Sequence, residues 1–117
     1  MISSNLFTQG VIVERRDAVL GYLHYHAHWV PALNAFIRGA HANLPAQTEL
    51  SVELYHDRES ASDEIVLWVR HSNYPDDFHE LVKRVRRLVR QGIDLRSLVQ
   101  KGGKITLCAD FGRPHAT

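Results

Sequence analysis

The chain has 117 residues, 44% of them hydrophobic and 23% charged, with a formal net charge of +1. Those proportions lie near the globular average and exclude disorder, collagen and a long coiled coil. The longest unbroken apolar run, Ile65-Val66-Leu67-Trp68-Val69, falls far short of the ~20 residues that span a bilayer, so no membrane partner is expected. The opening residues show neither the basic nor the apolar part of a secretory signal, and the lone Cys108 removes any intrachain disulfide. Together these predict a reducing, cytoplasmic setting. A chain of this length is expected to form one domain over residues 1–117, burying roughly two-thirds of its unfolded surface.

In chain order, residues 6–13 have the character of a strand, with 10–14 its best-defined part. Residues 17–28 read as a helix carrying Leu20, Leu23 and Ala27, or equally as a strand pairing with the first. Pro31, Leu33, Phe36, Ile37, Ala40 and Leu44 predict a helix entered near Trp29, since proline is tolerated in a first turn. Over residues 48–57, Leu50, Val52 and Leu54 alternate with Glu49, Ser51, Glu53 and Tyr55. Period-two alternation sends these sets to opposite faces of a half-buried strand. A polar loop centred near Ser60 leads to a second strand over 64–72, apolar on both faces, and the two strands should form an antiparallel hairpin.

Tyr74, Pro75, Asp76 and Asp77 mark a turn and a helix start, where the helix dipole favours negative charge. Phe78, Leu81, Val82, Val85, Leu88 and Val89 follow at steps of three and four. That spacing predicts an amphipathic helix stopped near Gly92. Residues 93–99 form another short turn or helix. Gly102 and Gly103 break the chain before a last strand over 104–110, and Gly112 and Pro114 mark a tail. The predicted class is α+β: a two-layer sandwich with a mainly antiparallel sheet and helices packed on one face.

Such a sheet leaves Tyr55, Val66 and Trp68 on the face away from the helices. An exposed patch with tyrosine and tryptophan in a small domain is a candidate contact surface. The alternative is that the N-terminal segment folds over it.

Eight histidines raise the question of metal. His24, His26 and His28 would share one face of a strand, whereas on a helix only His24 and His28 would. Imidazole suits zinc, nickel, copper or iron. The competing reading is a histidine cluster packed beside Trp29, and no cofactor is expected. His56 and His71 should lie at opposite ends of the hairpin, too far apart for a paired acid–base role. No serine has a nucleophile-elbow context, Cys108 reads as a packed thiol, and Gly102-Gly103-Lys104 lacks phosphate-loop spacing. The sequence therefore leans away from an enzyme.

Charge is segregated. Lys83, Arg84, Arg86, Arg87, Arg90, Arg96, Lys101 and Lys104 meet only Asp94 in their stretch. Glu49, Glu53, Asp57, Glu59, Asp63 and Glu64 meet only Arg58 in theirs. The basic residues Lys83, Arg86, Arg87 and Arg90 form a stripe that could meet nucleic acid or an acidic partner. The plainer reading is a solvated helix face. Two copies could also meet basic helix to acidic hairpin. The expected function is a small non-catalytic protein-interaction module, a homodimer, of the kind that serves as a bacterial regulatory or antitoxin-like partner. Nucleic-acid binding through residues 83–90 and a small histidine-dependent metal-binding enzyme are the alternatives.

Overall fold

In a computed structural model, the described residues are 10–59, 61–71 and 75–109. They form β1 (Ile12–Val13), α1 (Arg16–Tyr25), a 3₁₀ turn (Ala27–Trp29), α2 (Val30–Asn43), β2 (Glu49–Asp57), β3 (Ser62–Arg70), α3 (Phe78–Gly92), α4 (Leu95–Gln100) and β4 (Ile105–Ala109). The start of the first predicted strand, the loop centre at Ser60, the turn residue Tyr74 and the tail at Gly112 and Pro114 lie outside the described residues.

The ambiguous stretch after β1 is helical. Arg15 takes a left-handed conformation with φ 50°, and its carbonyl accepts from the amides of Ala18 and Val19, so the chain turns directly into α1. Val19 and Leu23, four residues apart, form the buried stripe of that helix. Pro31 sits in the first turn of α2. In α3 Phe78, Val82, Val85 and Val89 are buried as the spacing expects, whereas Leu88, placed on the same stripe, is 42% exposed. Asp77 occupies the N-cap position of α3 without a side-chain cap, whereas Asp94 caps α4 by accepting from the Ser97 amide at 3.2 Å.

The four strands make one mixed sheet in the order β1-β2-β3-β4. The predicted hairpin is present, antiparallel from Glu49↔Arg70 to Asp57↔Ser62. The expectation of a mainly antiparallel sheet does not hold. β1 pairs parallel with β2 and β3 parallel with β4, so two of the three pairings are parallel. The physical reason lies in the connections. β1 reaches β2 through α1 and α2, and β3 reaches β4 through α3 and α4, and such crossovers permit parallel neighbours where a tight turn does not. Alternation reports which face a side chain takes but not the direction of the neighbouring strand. The α+β class holds.

Leu50 and Val52 of β2, Ile65, Leu67 and Val69 of β3, and Ile105 and Leu107 of β4 join the apolar stripes of α1, α2 and α3 in one buried cluster. α2 and α3 approach closely at Gly39, where an added Cβ would stand 3.2 Å from Val85 Cγ1. Among the described residues, no helix is long and apolar enough to cross a membrane.

Both sheet edges are guarded. β1 is only two residues long, and short edge strands recruit poorly. On β4, Arg86 Nη2 donates to the Leu107 carbonyl at 2.7 Å, occupying an outward edge acceptor. Arg86→Met should cost about 1–2 kcal/mol in chemical denaturation, as for a hydrogen bond from a charged donor. It should also raise the rate of aggregation on mild heating, seen by light scattering. An unchanged denaturation midpoint would remove Arg86 from the fold.

Candidate functional site

On the hairpin, Glu49, Ser51, Glu53 and Tyr55 stand opposite Arg70, Trp68, Val66 and Glu64. These eight share the sheet face turned away from the core. The alternation therefore places Tyr55, Val66 and Trp68 together, but their surroundings differ from an open apolar patch. Val66 is only 3% exposed. The Trp68 indole N–H donates to Glu53 Oε1 at 2.5 Å. Arg70 Nη1 donates to Ser51 Oγ at 2.7 Å and stands 3.9 Å from Glu49 Oε1. The Arg70 guanidinium carbon lies 5.6 Å from the Trp68 ring centroid, within cation–π range. Charged strand residues thus fix the tryptophan, a role invisible when Glu53 and Arg70 are read as solvent-facing. The available signal is that the second strand is apolar on both faces, which leaves Arg70 in a buried register.

Tyr55, at 47% exposed, is the aromatic group this face presents at the surface. Around it the hairpin end is acidic apart from Arg58, which with Glu59 borders the same hollow as Tyr55. Glu59 and Asp63 are exposed, Asp63 Oδ1 meets His56 Nδ1 at 2.6 Å, and Glu64 Oε2 lies 3.5 Å from Lys104 Nζ. His56 thus stands across the ladder from Asp63, while His71 follows Arg70 at the other end. The two are separated as the hairpin geometry requires.

α3 presents Lys83, Arg84, Arg87 and Arg90 as exposed residues. Arg86, expected in the same stripe, turns instead to the Leu107 carbonyl and serves β4. Lys83 lies 3.8 Å from Glu80, and Arg90 Nε donates to the Arg86 carbonyl at 3.4 Å. The outward cationic group is therefore centred on Arg84 and Arg87.

The histidine segment is divided by the end of α1. His24 is on the helix, His26 is its C-cap, and His28 is in the 3₁₀ turn. They share neither a strand face nor a helical face. His28 Nε2 hydrogen-bonds the Gly102 carbonyl at 2.7 Å, and the Trp29 indole N–H donates to the same oxygen at 2.8 Å. The His26 ring centroid lies 4.5 Å from that of Tyr22, tilted by 44°, and 5.9 Å from that of His28, edge-on at 81°. Among the described residues, no three His, Cys, Asp or Glu side chains converge as a metal site. What the cluster does in the fold is clamp the Gly102-Gly103 turn. Tyr22 completes the junction: its hydroxyl accepts from the Lys104 amide at 2.9 Å and donates to the Asp63 carbonyl at 3.2 Å. Burial raises the Tyr22 pKa above its ordinary value, partly offset by the Lys104 amide, so the hydroxyl stays protonated at neutral pH.

Cys108 is half-buried on β4 beside Trp68. Burial pushes its thiol pKa up, with the nearby Arg86 charge opposing. Because the thiolate is the reactive form, alkylation by iodoacetamide should reach half its plateau rate at a higher pH in the folded protein than in the urea-unfolded chain. Equal or earlier onset in the folded state would contradict this. Comparisons with family models, with curated proteins and with solved structures return no match.

Proposed function

We propose that the protein is a non-catalytic protein-interaction module that pairs with a second copy of itself, the outer face of α3 meeting the hairpin end. The observation that carries this reading is complementarity within one chain. Exposed Lys83, Arg84, Arg87 and Arg90 stand on one helix, and Glu59 and Glu64 stand beside the exposed Tyr55 on the hairpin. A reciprocal contact of helix to hairpin is isologous and closes at two copies. Packing the outer sheet faces against each other would instead bring Glu53 and Glu64 of one copy towards those of the other, and like charges in an interface are costly. Tyr55 supplies the amphipathic anchor typical of contact surfaces, and the charges set register and add the affinity that holds the pair together at low salt.

Light scattering on the purified chain tests this. The expected mass is twice 13.4 kDa at low ionic strength, falling towards the single-chain value in about 0.5 M salt as exposed charges are screened. A single-chain mass at every concentration and salt would remove the reading. The exposed pair Arg84 and Arg87 supports a second reading, nucleic-acid binding on α3. It requires affinity that falls steeply with salt, and no gel shift at low salt would dismiss it.

A further inference from the structure

A concavity lies between α1, the hairpin and the Gly102-Gly103 turn, and it is a separate feature from the α3–hairpin contact. It measures about 470 Å³. Tyr22, Tyr25, His26 and Leu54 line it, and Asp17 and Asp63 are the acidic residues among its lining. No lysine or arginine is among the residues lining it. We infer that this cleft binds an alkylguanidinium or alkylammonium group, with the cationic head between Asp17 and Asp63 and the alkyl stem along the tyrosine rings.

Each part of the cleft has a reason to suit that chemistry. The Tyr22 hydroxyl is consumed by the Lys104 amide and the Asp63 carbonyl, so Tyr22 offers a ligand its ring and not its hydroxyl. Tyr25 is 87% exposed, so its ring is free to lie against a bound group. Gly21 lies one turn before Tyr25, and a Cβ there would meet nothing within 4 Å, which leaves room beside the ring. His56 engages Oδ1 of Asp63 and leaves Oδ2. Asp17 has no ion-pair partner among the described residues. Cations bind over tyrosine faces, and a charged head gains stronger hydrogen bonds from carboxylates than a neutral one does. The same group could reach the cleft on a free metabolite-sized amine or on a basic side chain of another protein.

The test is a titration followed by NMR, with agmatine as the probe, 1-pentanol as its neutral counterpart, and the capped tripeptide Gly-Arg-Gly as the side-chain form. Agmatine should shift the Gly21, Tyr22 and Tyr25 resonances saturably, at least tenfold more tightly than 1-pentanol. Asp17→Asn, at an exposed position, should weaken agmatine at least threefold while lowering the melting temperature by only a few degrees, as for the loss of one first-turn charge. If the tripeptide binds as tightly as agmatine or more so, the source is a protein side chain. If agmatine is at least fivefold tighter, it is a small free cation. Absence of a saturable shift with both probes, equal binding of 1-pentanol, or full affinity in Asp17→Asn would overturn the inference. The salt-dependent mass of the chain is measured separately, so the dimer reading and this one can fail independently.

Discussion

Gly103→Ala should destabilise the protein by about 2–4 kcal/mol, more than most single-methyl additions, with a lowered denaturation midpoint and an unchanged slope. Two costs coincide. Gly103 has φ +84°, a conformation that strains an L side chain. The added Cβ would also stand 3.0 Å from His26 Cγ and Nδ1 and 3.0 Å from Trp29 Nε1. Neither ring can retreat cheaply. Trp29 is 1% exposed and bonded to Gly102, and His26 packs against the Tyr22 ring. Gly21→Ala serves as the control: the site lies inside α1 with open space around it, so alanine should stabilise by roughly 0.5–1 kcal/mol through helix propensity. If both substitutions leave stability unchanged, the clamp around the glycine turn is not a feature of the folded protein.

Arg70→Met should cost about 3 kcal/mol. The Arg70 and Glu49 side chains are 10% and 8% exposed. Removing the cation leaves the carboxylate buried with less compensation, which is the expensive way to break a buried pair. It also takes a donor from Ser51 and the cation from the Trp68 ring. Adding Glu49→Gln to Arg70→Met should recover part of the loss, because the leftover charge is then gone. Additive penalties in the double variant would show that the two side chains do not interact, and the account of the outer sheet face would need another basis.

The sequence made the local elements legible where burial follows a simple period. Leu50, Val52 and Leu54 declared a strand, and Phe78, Val82, Val85 and Val89 declared a helix, because each pattern satisfies one geometry only. The stretch after β1 was ambiguous since Val19 and Leu23 are its only buried positions, too few to define a period. Strand direction was illegible in principle, as a half-buried strand shows the same alternation beside a parallel or an antiparallel neighbour. The histidine segment looked like a ligand set because its three residues are close in sequence. Its partner, Gly102, is more than seventy positions away, and nothing local announces such a pairing. Arg86 was hidden for the same reason: on a helical wheel it resembles Arg87, and only the placement of β4 separates them.

The proposed pairing of two copies, basic helix to acidic hairpin, is tested most directly by a charge exchange measured by analytical ultracentrifugation. Arg84→Glu/Arg87→Glu in one preparation and Glu59→Lys/Glu64→Lys in another should each sediment as single chains at low salt, while an equimolar mixture should sediment as a pair. Failure of the mixture to associate, or association of either variant alone at the strength of the original chain, would contradict the account.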